Sequence, residues 1–520
     1  MEAAMSQERK GNNHIKTVGL IMVITLLGKV MGLARDMFLG HNFATGLEGT
    51  AFQVASRIPR TFFDSIFASA ISASFIPVFN SRLETHGRED AFRLSSSFFT
   101  WIGLLTSVMS LLGIFLAEPL VGLLADGFDP ETAALCAQLL RILFPTVFFT
   151  GVAFSLVGVL QSLGEFNIPA AMSVASNGII ILYYLFFCRK FGIYGLAWAF
   201  VIGWAAQALM QLPWLHKNGY RYRPSLRHPG LKQVFLLMLP VMVSTWIQPV
   251  NQLISTRFAT HLFAGAGASA MDYANTLYSM IAGILVLSIT NVMFPEMSRL
   301  STEGKQNELG ELIAGSLRGM LFLLLPITAG LLLLATPLVR LLYEWKSWTA
   351  FSTEITARAL RFMSLGMVGY GVQNLLSRAF YAGQDGKTPL ISGVFSIGVN
   401  FVLCWLLSGR MDVAGLSIAT AVSSLVSAVI LLIPTIRRYK SQWSRSVCVG
   451  FLKMLAATGI MSLAVAGSYQ GLSALLPDGL VGRVLLLGIP TLCGIAVYFL
   501  AAFLLKLEEL TGLVRRFRKS

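Results

Sequence analysis

Apolar residues in this chain gather into long stretches of roughly 20 positions, and polar residues, glycine and proline crowd into the short gaps between them. A helix rising 1.5 Å per residue needs a run of about that length to cross the ~30 Å hydrocarbon core of a bilayer. The stretches centre near Val23, Phe67, Val108, Val147, Ile180, Phe200, Val243, Ile284, Leu324, Gly369, Ile397, Val422, Ala457 and Ile495, which predicts about fourteen spans. They must be helices, because a helix satisfies its own backbone hydrogen bonds and an open strand in lipid cannot. The opening "MEAAMSQERKGNNHIK" shows no small-residue cleavage site after a short apolar core and reads as a retained tail.

Composition agrees with this pattern. Of 520 residues, 55% are hydrophobic and 12% charged, with a mean hydropathy of +0.69, which excludes a water-soluble globular protein. The net charge of +15 is that of basic loops beside anionic headgroups, and no nucleic-acid partner is expected. Lys10 and Lys16 precede the first span, Arg82, Arg88 and Arg93 follow the second, and Lys217, Arg221, Arg223, Arg227 and Lys232 lie between the sixth and seventh. Arg437, Arg438, Lys440 and Arg445 follow the twelfth, and "RRFRKS" ends the chain. The alternate loops are neutral or acidic, apart from the one holding Arg189 and Lys190, so both termini are expected on the cytoplasmic side.

Short segments repeat. "SRLETHG" at Ser81–Gly87 returns as "SRLSTEG" at Ser298–Gly304. "EFNIP", ending at Pro169, is echoed by "DGKTP", ending at Pro389, and "GLAWA" from Gly195 by "GLSIA" from Gly415, in the same order and at nearly the same offset. The expected fold is therefore an all-α polytopic membrane protein of two pseudo-symmetric six-helix lobes around a central cavity, plus two C-terminal helices. The expected boundaries are a cytoplasmic tail (1–16), an N-lobe (17–218), a C-lobe (231–440), an added helix pair (446–507) and a basic tail (508–520). Lobes of even helix number share one orientation, as in transporters that rock one bundle against another.

Several charges fall inside apolar runs, where each costs about 2.5–3.5 kcal/mol unless it faces a wet cavity or a partner. Lys29, Arg35 and Asp36 occupy the first span, Arg57, Arg60 and Asp64 the second, with Arg141 and Arg257 further on. Six cations against two anions call for an anionic ligand. A guanidinium fork fits phosphate oxygens and lysine adds a point charge, which makes a phosphate-bearing substrate the sharper reading. The plainer one has Arg35, Asp36, Arg57 and Arg60 snorkelling to headgroups and Arg141 and Arg257 in interhelical ion pairs or at headgroups. Gly28 and Gly32 permit close helix approach or local unwinding, and Pro59 frees a backbone carbonyl.

Enzyme signals are poor. The six histidines have no metal-binding spacing, the five cysteines stand singly and no Walker sequence occurs, so no catalytic residue, metal or cofactor is expected. Energy must come from an ion gradient, the membrane potential or a partner.

The segments "GKVMGLARD", "ASRIP", "FIPVF", "FPEMSRLSTEG" and above all "SRAFYAGQDGKTPL" resemble the MurJ (MviN) lipid II flippase family, within the multidrug, oligosaccharidyl-lipid and polysaccharide exporter superfamily. The resemblance runs from about residue 17 to at least 440. It implies a V-shaped cavity between two lobes, a lipid-tail groove made by the last two helices, and alternating-access transfer of lipid II to the outer leaflet of a bacterial inner membrane. It also implies a monomer, with cell-wall synthesis enzymes as candidate partners. The family's first-span cations carry over to Lys29, where arginine is usual, and Arg35, followed by Asp36. Other family positions depart: an acidic residue falls at Thr50, a basic one near Phe63 beside Asp64, and an Arg and Glu at Thr276 and Ser279. A related polyprenyl-diphosphate glycan is therefore an alternative cargo. A drug/cation antiporter would want more mid-membrane acids, and a glycosyltransferase a large external loop.

Overall fold

The breaks in the helices organise the fold as much as the helices themselves. The computed structural model describes residues 2–61, 65–439, 445–477 and 479–510, and all regular structure among them is helical. The first half holds α1 (Glu2–Phe43), α2 (Leu47–Pro59), α3 (Ser65–Phe115), α4 (Ala117–Leu124), α5 (Pro130–Leu143), α6 (Pro145–Ser162), α7 (Asn167–Phe186), α8 (Cys188–Leu209), α9 (Leu212–Lys217) and α10 (Leu231–Thr245). Then come α11 (Ile247–Thr260), α12 (Ala266–Thr302), α13 (Gln306–Tyr343), α14 (Ala350–Ser364), α15 (Met367–Ala382), α16 (Lys387–Arg438), α17 (Arg445–Ser473) and α18 (Leu480–Leu504).

Nine helical segments among the described residues are long and apolar enough to cross a membrane. The fourteen apolar centres read from the sequence do not map one to one onto these. α3 and α16 each merge two apolar limbs across a kink, at Gly87 and Asp412, whereas shorter helices such as α5 and α6 meet end to end. Large side chains such as Leu111, Phe115, Trp405, Leu463 and Phe503 face outward, as expected where the surrounding solvent is lipid.

The chain forms two compact units, Met1–Leu253 and Ile254–Ser520. In the first, Ile71, Phe75, Phe98, Val159, Leu160 and Val234 build a core where α3, α6 and α10 meet, and the rings of Phe75 and Phe98 stack at 4.7 Å across the Gly87 kink. In the second, Val286, Met320, Leu324, Leu375 and Leu431 join α12, α13, α15 and α16. α17 and α18 pack on one another and on α13 through Phe322, Met454, Met461 and Tyr498, whose hydroxyl donates to the Phe322 carbonyl at 2.7 Å. Arg483, near the start of α18, reaches the Glu344 carboxylate at the end of α13 at 3.1 Å.

The same backbone irregularities occur in each unit at the spacing of the sequence echoes. Left-handed φ values recur at Ala44 and Ala264 (49° and 51°), Gly87 and Gly304 (81° and 72°), and Gly164 and Gln384 (85° and 58°). Gly192 (φ 53°, ψ −145°) is matched by Asp412 (φ 50°, ψ −136°). Helix starts correspond as well: Asp129 and Thr349 cap α5 and α14, while Glu165 and Asp385 accept the first backbone N–H groups of α7 and α16. Even one interhelical contact repeats. Gly203 lies against the Ser176 carbonyl, and at the corresponding positions of the second unit the Ser396 hydroxyl donates to the Ser423 carbonyl.

Asp385 supplies a pH test of this design. Its carboxylate accepts the Thr388 hydroxyl at 2.7 Å and the N–H groups of Lys387 and Thr388 at 3.0 and 3.1 Å. The Thr388 hydroxyl foremost, then these N–H groups, hold its pKa below the usual carboxylate value. The stabilisation is complete above the unfolded value of about 4 and is lost as pH falls through the lower folded value. Asp385→Ala should cost about 1 kcal/mol at neutral pH. Asp385→Asn can still cap the helix but cannot titrate, so its melting temperature in detergent should fall less than the wild type's between pH 5 and 3.

Candidate functional site

α1 packs along α7, and small residues set how closely. A Cβ added at Gly28 would lie 2.3 Å from the Ser173 hydroxyl oxygen, and one at Gly32 would lie 3.5 Å from the Asn177 amide nitrogen. α1 runs unbroken through both positions, so the two glycines act by close approach and not by unwinding.

That closeness brings Asn177 within reach of two partners on α1. Its Nδ2 donates to the Gly28 carbonyl at 3.2 Å, and its Oδ1 accepts Arg35 Nη1 at 3.2 Å. The same guanidinium meets Asp36 Oδ1 through Nη2 at 2.8 Å and Nε at 2.9 Å. Its carbon stands 5.4 Å from the centroid of the Phe200 ring, in cation–π range. Phe200 is itself braced by Trp204, stacked at 5.6 Å, and by Phe52 of α2, edge-on at 5.0 Å. Arg35 is 8% exposed, and the Asp36 side chain 17%. A guanidinium thus anchored by carboxylate, amide and ring has its plane fixed, which suits it to present remaining N–H groups to an anion with little entropy left to lose.

Lys29 lies one residue beyond Gly28, exposed, and forms no ion pair among the described residues. α2 packs against α1, α5 and α8, and Arg57 and Arg60 lie at its far end, both half-buried. They stand three apart and so share a face. Pro59, buried between them, has no N–H to offer the Ala55 carbonyl one turn back, and the helix loosens into a π turn over Arg60 and Thr61. In the first unit the fold thus carries Lys29, Arg35 and Asp36 on α1 and Arg57 and Arg60 at the end of the adjoining α2. Arg257 belongs to the second unit, exposed on α11.

The other positions are placed as follows. Thr50 is buried and donates to the Thr45 carbonyl at 3.2 Å. Ser279 is exposed and donates to the Thr276 carbonyl at 3.2 Å. Arg141 pairs with Glu118 at 2.7 Å in an exposed bridge. Phe63 and Asp64 lie outside the described residues, as does the terminal "RRFRKS".

Sequence reasoning missed Asn177 and Arg361. Asn177, in the apolar run "ASNGIIIL", carried the signal of a polar amide in a membrane helix. Arg361 follows Arg141 at the same offset that separates Pro389 from Pro169, so the echo spacing points to it. It is half-buried in α14 and donates to the Thr336 hydroxyl at 3.2 Å.

Comparison with known proteins identifies the family. The chain is 30% identical over 516 residues to "Probable lipid II flippase MurJ" of Rhizobium meliloti (strain 1021), covering 94% of this chain and 93% of that one. It is 27% identical over 460 residues to "Lipid II flippase MurJ" of Burkholderia cenocepacia, with 86% and 89% covered. Among solved structures, "Lipid II flippase MurJ, inward closed conformation" superposes with a TM-score of 0.79 at 23% identity, over 93% of this chain and 98% of that one. An inward-facing multidrug resistance MATE transporter of the MOP superfamily shares the fold with a TM-score of 0.67 at 16% identity, over 81% and 98%. The family described as "Lipid II flippase MurJ" matches residues 39–490, and the chain belongs to that family of multi-pass membrane proteins.

Proposed function

We propose that this protein moves lipid II, the undecaprenyl-diphosphate disaccharide-pentapeptide, from the cytoplasmic to the outer leaflet of a bacterial inner membrane by alternating access. Family membership over most of the chain carries the reading. Lys29, Arg35, Arg57 and Arg60 form a cationic cavity wall that binds the diphosphate, with Asp36 and Asn177 orienting Arg35 and Arg257 a further cargo contact. α17 and α18 supply the groove for the polyprenyl tail. Both termini face the cytoplasm, and the protein acts as a monomer without cofactor. No bond is made or broken, so it works as a carrier and not as a catalyst. An inside-negative membrane potential contributes about 2.3 kcal/mol per 100 mV for each charge that crosses, with the sign that expels an anion.

A second reading, another polyprenyl-diphosphate glycan as cargo, draws on Thr50, whose buried hydroxyl is spent on a backbone carbonyl at a position where an acidic residue is usual. Depletion separates the two. After shut-off, lipid II should accumulate in the cytoplasmic leaflet and disappear from the outer one, as read by an outer-leaflet-specific lipid II probe. Normal lipid II display, with a different lipid-linked glycan held inside, would select the second reading.

A further inference from the structure

The outer wall of α3 carries a trough beside the loop that joins α9 to α10. One end, about 570 Å³, is walled by Trp101, Leu104, Leu105, Val108 and Phe235. The other, about 550 Å³, shares Trp101 and Phe235 and is closed by Leu226, Arg227 and His228. Each volume is that of an ordinary small-molecule site. The Trp101 indole donates to the Leu226 carbonyl at 3.0 Å and so pins the loop over the trough.

Several of the charges around this junction are spent internally. Arg82 faces Asp90 at 3.7 Å, Arg93 and Arg223 face Glu89 at 2.8 and 3.8 Å, and Arg88 donates to the Asn218 carbonyl at 2.7 Å. His228 accepts the Gly230 N–H on Nδ1 at 3.1 Å, which leaves Nε2 to donate to Asp90 at 3.3 Å. Lys217, Arg221, Arg227 and Lys232 form no ion pair among the described residues, and of these four Arg227 is the one that lines the trough. It is exposed, and it stands where the apolar trough meets the basic loop.

We propose that this trough holds one anionic phospholipid, its phosphate on Arg227 and an acyl chain along Leu104, Leu105 and Val108. Charge complementarity favours this occupant: a guanidinium without an ion pair stands above an apolar channel, in a loop already drawn to anionic headgroups. Trp101 sits at the boundary, where an amphipathic ring is at home. From Trp101 to Val108 the helix offers about 10 Å of apolar wall. The trough shares no residue with the Arg35 cluster, and the inference holds whatever the cargo is.

Native mass spectrometry of the full-length protein in detergent, titrated with phosphatidylglycerol and phosphatidylcholine, tests it. Phosphatidylglycerol should bind about five-fold more tightly, the effect of one basic side chain at an anionic headgroup. Arg227→Ala should erase that preference with the melting temperature unchanged, while Leu105→Gln should weaken both lipids. Lys217→Ala, the same charge change outside the trough, should leave the preference intact. An equal loss from Lys217→Ala would replace the site by diffuse attraction. Displacement of phosphatidylglycerol by equimolar glycerol 3-phosphate, or no effect of Leu105→Gln, would remove the acyl chain from the site.

Discussion

Arg35→Ala is expected to abolish outer-leaflet display of the cargo and to fail to complement loss of a lipid II flippase. The side chain is 8% exposed and ties α1 to α7 through Asn177 while its own neighbour Asp36 holds it. Truncation should therefore also cost about 3 kcal/mol, the lower end of what breaking a buried pair costs. That dual role confounds the single variant, and the double variant Arg35→Ala/Asp36→Ala resolves it. Removing both charges should restore most of the melting temperature, because no buried carboxylate is left facing a missing arginine. Display should stay absent, because no fork is left for the diphosphate. Recovery of display in the double variant would make Arg35 a purely structural residue, and full activity of the single variant would sink the cationic-wall reading. Immunoblotting of membranes controls for protein level.

Gly369→Val should leave no folded protein. At Gly369, α15 lies directly on the backbone of α16: an added Cβ would stand 2.7 Å from the Leu425 nitrogen and 2.9 Å from the Ser424 carbonyl carbon. Gly366, one turn earlier, is as tightly placed, 2.7 Å from the Ala421 α-carbon, and its carbonyl accepts the Ser424 hydroxyl at 3.1 Å. Backbone cannot swing aside as a side chain can, so the helices must part along this seam, at a cost of about 3 kcal/mol or more. Gly398→Ala on α16, where a Cβ meets nothing within 4 Å, should be neutral. Size-exclusion profiles of detergent-extracted protein would separate the two, and a monodisperse Gly369→Val would contradict the packing described.

The sequence and the structure agree best where one simple force decides. Long apolar runs demand helices in lipid, and the evenly offset echoes report a repeat that the backbone angles repeat in turn. Helix breaks were harder to read. Asp412 adopts a left-handed conformation in the middle of α16, with glycines three residues to either side but none at the break itself. The cations of α1 and α2 were visible because charge in an apolar run is costly wherever it lies. What held them was not visible. Asn177 is far from Arg35 in the chain, and only the close packing at Gly28 and Gly32 makes the two neighbours. The glycines themselves allowed two readings, unwinding and close approach, and deciding between them required the partner helix.

The paired backbone bends do not depend on the residue best suited to them. Gly164 and Gly192 are matched by Gln384 and Asp412 in the second half, yet each turn is kept, at about 1 kcal/mol or more of strain for a residue with a Cβ. The bends are thus held by the helices on either side of them and not by glycine alone. The arginine at Arg35 has no such twin: Ser255 occupies the corresponding position of the second half, and its hydroxyl accepts Asn400 Nδ2 at 3.3 Å, three residues beyond Ile397, the position that answers to Asn177. Backbone geometry therefore repeats across the two halves where side-chain charge does not.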